Sequence, residues 1–276
     1  LGHAVLLPHW LGGDWAKTVG DESVGESPYL AIIVVLHVAT AAALLLFFWR
    51  EWIAIVKGLF RSIARRKIET VHERMAWLLV IAAIAAGITG LALEHELRVV
   101  FAKPLAAAIF LTINGLILLG GERLRQHALQ RAAANPDPVT PPSDEELDAA
   151  VVVRVRPVDA AWIGLAQTLA LLAGISRSGI TMVTGLARGL DHEQAVRFAF
   201  LLATPIILAA GLLKIPDFTG PLGDGIRGQA LAGAATAFIG ALFAIKFLTR
   251  YFQTNRLNPF GIYCLLAGAA SIIRFA

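Results

Sequence analysis

LALLAGISRSGIT, residues 169–181, is the segment of this 276-residue chain least at ease with its surroundings: Arg177 stands between Ser176 and Ser178, inside sequence otherwise apolar enough to cross a membrane. A charge at that depth costs roughly 2.5 to 3.5 kcal/mol on insertion scales, so an arginine there marks a functional site and calls for an anionic partner. Gly174 and Gly179 bracket the triplet. Ser178 stands where a helix N-cap would stand, which leaves the amides of Gly179, Ile180 and Thr181 to point at an anion. The outline is that of a phosphate site. The plainer alternative is a capped helix start whose arginine snorkels to a lipid headgroup.

Outward from the triplet, VDAAWIGLAQTLALLAG (158–174) precedes it and the polar run RGLDHEQAVR (188–197) follows soon after. About 20 apolar residues are needed per crossing, so this length holds no pair of complete spans. It predicts a helix-loop-helix that enters and leaves by one face, with a loop lining a protein-walled or wet cavity, where irregular backbone is tolerated. Apolar runs at 29–48, 75–93, 104–121, 196–213, 230–248 and 259–273 predict full spans. His37 interrupts the first and reads as a packed, hydrogen-bonded residue. Residues 49–67 carry Arg50, Lys57, Arg61, Arg65, Arg66 and Lys67 among apolar positions, the pattern of an interfacial amphipathic helix.

Basic residues assign the faces. The 49–67 stretch, the 188–197 run and the turn with Arg250 and Arg256 read as cytoplasmic, and both ends of the chain as external. Residues 122–157 hold Arg123, Arg125, Arg131, Arg154 and Arg156 with Pro136, Pro138, Pro141 and Pro142, and predict an extended cytoplasmic linker. It divides a first membrane repeat (1–121) from a second (158–276). Gly2 and Gly12 have the same separation as Gly179 and Gly189, and each pair precedes a polar stretch and a long apolar span. The first copy enters from outside and the second from the cytoplasm, as in an inverted-topology repeat with re-entrant segments.

Composition agrees: 57% hydrophobic and 16% charged residues, with a mean hydropathy of +0.68, describe an all-α polytopic membrane protein. The net charge of +4 collects in short stretches beside apolar runs, which is topological use and argues against nucleic-acid binding. Cys264 is the only cysteine, so neither a disulfide framework nor a cysteine-ligated metal site is available. The opening LGHAVLLPHWLGGDW has no initiating Met and no basic-then-apolar signal pattern, and reads as a truncated start.

GISRSGIT, with Gln167 upstream and RFAFLLATP downstream, resembles the Pro-Gly-x-Ser-Arg-Ser-x-x-Thr signature of the undecaprenyl pyrophosphate phosphatase family, also called the bacitracin-resistance phosphatases. Gly174, Ser176, Arg177, Ser178, Gly179 and Thr181 match it in order and spacing, while Ala173 replaces its proline. LGHAVLLP resembles the end of the family's Ser-Ser-Thr-Gly-His segment, LHVATAAALLLFFWR its next helix, and the final helices its layout. The resemblance implies His3, Ser176, Arg177 and Ser178 as catalytic residues and Gly174, Gly179, Thr181 and Gln167 as substrate-binding ones. It also implies a divalent cation, Mg or Ca, associated with an acidic pair upstream of the His. That pair is absent from the sequence; Glu22 and Glu26 have its spacing but lie downstream of His3, so no metal ligand is assigned. His9, His72, His95, His127 and His192 read as loop or interface residues.

Two functions follow. The first is a phosphatase of the bacterial cytoplasmic membrane, active at its outer face, which converts undecaprenyl pyrophosphate to the monophosphate and inorganic phosphate for cell-wall synthesis. Its partners are the polyprenyl diphosphate, membrane lipids and, in a homodimer, a second copy. The second is a transporter or lipid flippase with an anion site at the re-entrant loop, since broken helices in inverted repeats also build carriers. Arg177 suits the clamp in either, because its planar fork matches phosphate oxygens.

Overall fold

The computed structural model describes residues 2–13, 28–101, 103–132, 143–220 and 225–276. In chain order the helices are α1 (Gly2–Leu11), α2 (Pro28–Phe47), α3 (Trp49–Arg65), α4 (Val71–Phe101), α5 (Pro104–Ala132), α6 (Asp144–Arg154), α7 (Pro157–Gln167), α8 (Arg177–Ala187), α9 (His192–Thr219), α10 (Arg227–Thr254) and α11 (Asn258–Phe275). A short 3₁₀ turn, Thr168–Leu171, prolongs α7. No strand occurs among the described residues.

Five helices are long and apolar enough to cross a membrane, in the stretches Val71–Leu93, Pro104–Gln126, His192–Leu213, Arg227–Thr254 and Asn258–Phe275. The apolar part of α2 meets α3 at an angle of 86°. If α2 runs across the bilayer, α3 therefore lies along its surface, as its basic amphipathic sequence predicts. The helices overrun the apolar runs that announced them. α4 has 31 residues, about 46 Å at the α-helical rise, against a hydrocarbon core of about 30 Å. Backbone hydrogen bonds continue past the hydrocarbon boundary, which hydropathy alone marks.

The polar segment 122–157 differs from the extended linker expected of it. α5 continues through Ala132, and α6 opens with a capping box in which Ser143 Oγ accepts from the Glu146 amide and the Glu146 carboxylate accepts from the Ser143 amide. Leu147, Asp148, Val151 and Val152 of α6 are buried. The four prolines lie outside the described residues.

One pair of long helices lies at the centre. α5 and α11 pack backbone to backbone: a Cβ added at Gly115 would stand 2.8 Å from the carbonyl oxygen of Gly261. Such close approach of small residues is how helices associate where water supplies no driving force. The short helices lie along these two. α8 follows α5, with Ser176 beside Asn114, Gly179 beside Leu118 and Val183 beside Gly121. α1 follows α11, with His3 beside Tyr263 and Trp10 beside Ser271. In both pairs the short helix runs parallel to its long neighbour, the arrangement an inverted repeat produces.

At the arginine-rich end, buried ion pairs lock the elements together. Arg197 of α9 donates to Asp148 at 2.8 Å, Asp144 at 2.7 Å and Glu51 at 3.2 Å, with its guanidinium 5.5 Å from the Phe48 ring centre. That one side chain joins α9, α6 and α3. Asp159 at the start of α7 accepts from Arg156 at 3.0 Å and from Arg188 beyond α8 at 3.2 Å, and the hydrogen bond from Arg156 holds its carboxyl below the usual carboxylate range. Glu122 of α5 accepts from the Leu257 amide at 3.1 Å and lies 2.7 Å from His192 Nε2.

Arg197→Leu strands the buried carboxylate of Asp148, whose Oδ2 already has no partner. The expected loss is about 3 to 5 kcal/mol, the cost of breaking one side of a buried pair. Arg197→Leu combined with Asp148→Leu should recover much of it, and thermal unfolding in detergent measures both.

Candidate active site

α7 with its 3₁₀ turn, and α8 with 11 residues, each reach only part-way through a bilayer. α8 spans about 16 Å at the α-helical rise. The loop between them, residues 172–176, therefore sits at depth, and its geometry is set by Gly174. That residue has φ +115°, and a Cβ on it would lie 2.5 Å from the Ala107 carbonyl oxygen and 2.6 Å from the Leu111 nitrogen, so the loop is pressed onto α5. From the other half, α1 (10 residues) brings its first turn to the same point. A Cβ on Gly2 would lie 2.7 Å from Gly174 Cα. The tips of the two half-helices thus meet, Gly2–His3 against the loop that leads to Ser176.

Ser176, in extended conformation at φ −78° and ψ 121°, is the N-cap of α8. Its Oγ accepts from the Gly179 amide at 3.2 Å and its carbonyl accepts from the Ile180 amide at 2.9 Å. This corrects the assignment of the cap to Ser178. The amides of Gly179 and Ile180 are engaged, and those without a partner among the described residues are the amides of Arg177 and Ser178. The reason lies outside the triplet. Asn114 of α5 accepts from the Ser176 amide through Oδ1 at 3.0 Å and holds that residue extended, so the helix starts two residues early.

The Arg177 side chain is half-buried and, among the described residues, has no hydrogen bond or ion pair. Ser178 Oγ lies 3.4 Å from Ser176 Oγ and has no other described partner. Arg177, the two amides and Ser178 Oγ therefore form a donor-rich site with no carboxylate beside it among the described residues, suited to phosphate oxygens. His37 of α2, expected as a packed residue, is indeed hydrogen-bonded, with Nδ1 at 2.7 Å from the Ile33 carbonyl. It also stands close enough to Arg177 to feel its charge.

Thr181 and Gln167 lie behind this surface. Both are buried, and the Thr181 hydroxyl donates to the Arg177 carbonyl at 2.8 Å or to Gln167 Oε1 at 3.3 Å. They brace α7 against α8 under the loop. His3 is exposed, with Nε2 2.7 Å from the Tyr263 hydroxyl and the two rings inclined by only 8°. His192 is an interface residue as expected, on Glu122 and stacked with Phe252, and His9 bonds the Val5 carbonyl. Glu22, Glu26 and the side chains of His95 and His127 lie outside the described residues.

Among the described residues no group of three or more His, Cys, Asp or Glu side chains is placed to hold a metal. Mg and Ca take oxygen ligands, chiefly carboxylates, and the described side chains at the loop are hydroxyls, an amide, a guanidinium and an imidazole. They do not make such a site by themselves. Asn114 and Tyr263 were missed by the sequence reading. Their signal was a polar side chain within an apolar helix, in TINGL and GIYCLL.

A profile of the family described as Bacitracin resistance protein BacA matches residues 1–270. The chain is 51% identical to "Undecaprenyl-diphosphatase 2" of Frankia alni, with all of this chain and 92% of that protein aligned. It is 53% identical to "Undecaprenyl-diphosphatase" of Mycolicibacterium paratuberculosis, over 100% and 90% of the two chains. A more distant relative, "Undecaprenyl-diphosphatase 2" of Chromobacterium violaceum, is 40% identical over 99% and 90%.

Gly174→Ala should destabilise the protein by about 1 to 3 kcal/mol through its left-handed backbone, before the clash with α5 is counted. Gly120→Ala, on a helix with nothing within 4 Å of the added Cβ, should leave the melting temperature within a degree or two of wild type. Thermal unfolding of the two variants side by side checks the contrast.

Proposed function

This chain belongs to the bacitracin resistance protein BacA family, and on that premise we propose the reaction its loop supports. It is an integral membrane phosphatase that hydrolyses undecaprenyl pyrophosphate to undecaprenyl phosphate and inorganic phosphate. The observation that carries the reading is the guanidinium of Arg177 beside the amides of Arg177 and Ser178, none of them with a partner among the described residues. A diphosphate supplies the acceptors this arrangement lacks, and a lipid-linked one explains why it is built at depth: the isoprenoid tail stays among helices while the headgroup reaches the loop.

In this reading Arg177 binds oxygens of the diphosphate and offsets their charge while the bridging P–O bond breaks and its electron pair passes to the departing lipid phosphate. The α8 N-terminus adds the two amides and its dipole. Ser178 donates its hydroxyl to the same group, while Ser176 acts mainly through the backbone as the cap. The phosphoryl group passes to water, and the bridging oxygen departs with the lipid monophosphate. His3 supplies or removes the proton that this exchange requires. The divalent cation implied by the family resemblance finds no donor set among the described residues, and no step here is routed through it.

The arginine-rich end faces the cytoplasm by the positive-inside rule. With that orientation α1 opens toward the other side, so the proposed working face is the outer surface of the bacterial cytoplasmic membrane, where spent lipid carrier is dephosphorylated. A carrier built on the same anion site would bind the diphosphate and release no phosphate.

With the protein expressed from its native reading frame and purified in detergent, phosphate release from undecaprenyl diphosphate is the test. Arg177→Ala should lower kcat by about a hundred- to a thousandfold, the usual cost of removing one preorganised donor. Arg177→Lys, which keeps the charge and loses the fork, should fall between. Binding without phosphate release by the wild-type protein would establish the carrier instead.

A further inference from the structure

The two halves of the site come from opposite ends of the chain, yet both rest on adjacent residues of α11. Tyr263 lies 2.7 Å through its hydroxyl from His3 Nε2. Cys264, the next residue, accepts through Sγ from Asn114 Nδ2 at 3.3 Å, and Asn114 Oδ1 in turn accepts from the Ser176 amide at 3.0 Å. Successive residues on a helix point about 100° apart, so one side chain serves α1 and the other serves α5 and the loop. We propose that Tyr263 and Asn114 are positioning residues, which fix His3 and the Ser176–Ser178 turn relative to each other through Tyr263 and Cys264 of α11. This rests on the phosphatase reading above.

Each link is physically specific. A phenol both donates and accepts. Tyr263 can donate to a neutral His3 and accept from a protonated one, so the ring stays oriented through both halves of a proton-transfer cycle. The two rings are nearly parallel, inclined by 8° with their centres 5.7 Å apart, so the contact holds the ring as well as the nitrogen. With Nε2 engaged by Tyr263, Nδ1 is the ring nitrogen without a partner among the described residues. Asn114 is 1% exposed within an apolar helix, a costly placement unless its amide is bonded. Both ends are: the oxygen holds the loop and the nitrogen is held by Cys264. Removing Asn114 frees the Ser176 amide and, with it, the extended conformation that starts α8.

The contacts around these links add rigidity. Trp10 Nε1 donates to Ser271 Oγ at 3.0 Å, and the Trp10 and His9 rings meet Phe275 edge-on. α1 is thus held along two turns of α11, and α11 is packed against α5 at Gly115 and Gly261. The substrate would be gripped between groups referenced to one helix.

The experiment compares wild type, Tyr263→Phe, Asn114→Leu and Cys264→Ala in the purified full-length protein. Tyr263→Phe should lower kcat about tenfold, the rate equivalent of one hydrogen bond, with KM little changed. Asn114→Leu should raise KM by a similar factor, because it disturbs the clamp, and Cys264→Ala, which leaves the loop contact in place, should raise it less. Tyr263→Phe with wild-type kcat, or Asn114→Leu and Cys264→Ala both with wild-type KM, would overturn the proposal. If the wild type releases no phosphate, the phosphatase reading fails, and a second measurement still decides this one. Modification of His3 by diethyl pyrocarbonate, followed by peptide mass spectrometry, should quicken several-fold in Tyr263→Phe because Nε2 is released; an unchanged rate would overturn the Tyr263 link.

Discussion

A guanidinium held where a bilayer would surround it is expensive, and the fold is arranged so that Arg177, which has no ion pair among the described residues, can be there at all. α7 and α8 stop short of a full crossing, which brings a helix N-terminus to depth. Gly174 takes a conformation that a residue with a Cβ resists, which lets the loop lie against α5. Gly2 admits the tip of the opposite half-helix to the same point. Each of these costs stability in an ordinary helix pair, and together they make sense around a polar group that an incoming anion completes.

The contrast with Arg197 separates structure from function. Both arginines belong to helices of the second half, Arg197 buried and Arg177 half-buried. Arg197 has three carboxylates and an aromatic face around it, so its charge is spent on joining α9, α6 and α3. Arg177 has no described partner, only donors for neighbours. The same logic extends along α8. Its far end is gripped by Arg188 with Asp159 and by Arg125 and Arg154 on the Leu190 and Gly189 carbonyls, while its near end is left open. A helix anchored at one end and unsatisfied at the other is a rigid mount for an anion.

The internal repeat has a chemical consequence. α1 touches α11 through His3 with Tyr263 and Trp10 with Ser271, and its first turn meets the loop of the other half at Gly174, so residues from both halves border the candidate site. The relatives compared above are named undecaprenyl-diphosphatases, which is why a lipid diphosphate is the anion proposed for it.

Periodic and compositional features were legible directly: the spans, the surface helix after α2, the half-length segments, and Arg177 with its serines and glycines. They depend on local apolar length and on the cost of charge in hydrocarbon, both of which a chain carries in its order of residues. The N-cap was misread because Ser176 and Ser178 are equally good caps by composition, and the choice between them is made by Asn114, 62 positions away. The 122–157 segment was read as extended because polarity and proline mask the capping box and the buried face of α6. Asn114 and Tyr263 could be noticed in sequence as polar groups in apolar helices, and Arg197 as the last charge before an apolar run, but none could be given partners. The sequence by itself determined which segments enter the membrane, which stop half-way and which residue brings charge to the stopping point. Only the tertiary structure decided which amides at the start of α8 lack a partner among the described residues, what holds His3, and that Arg197 is paired while Arg177 has no described partner, because those outcomes depend on hydrogen-bond partners that distant helices supply at ångström range.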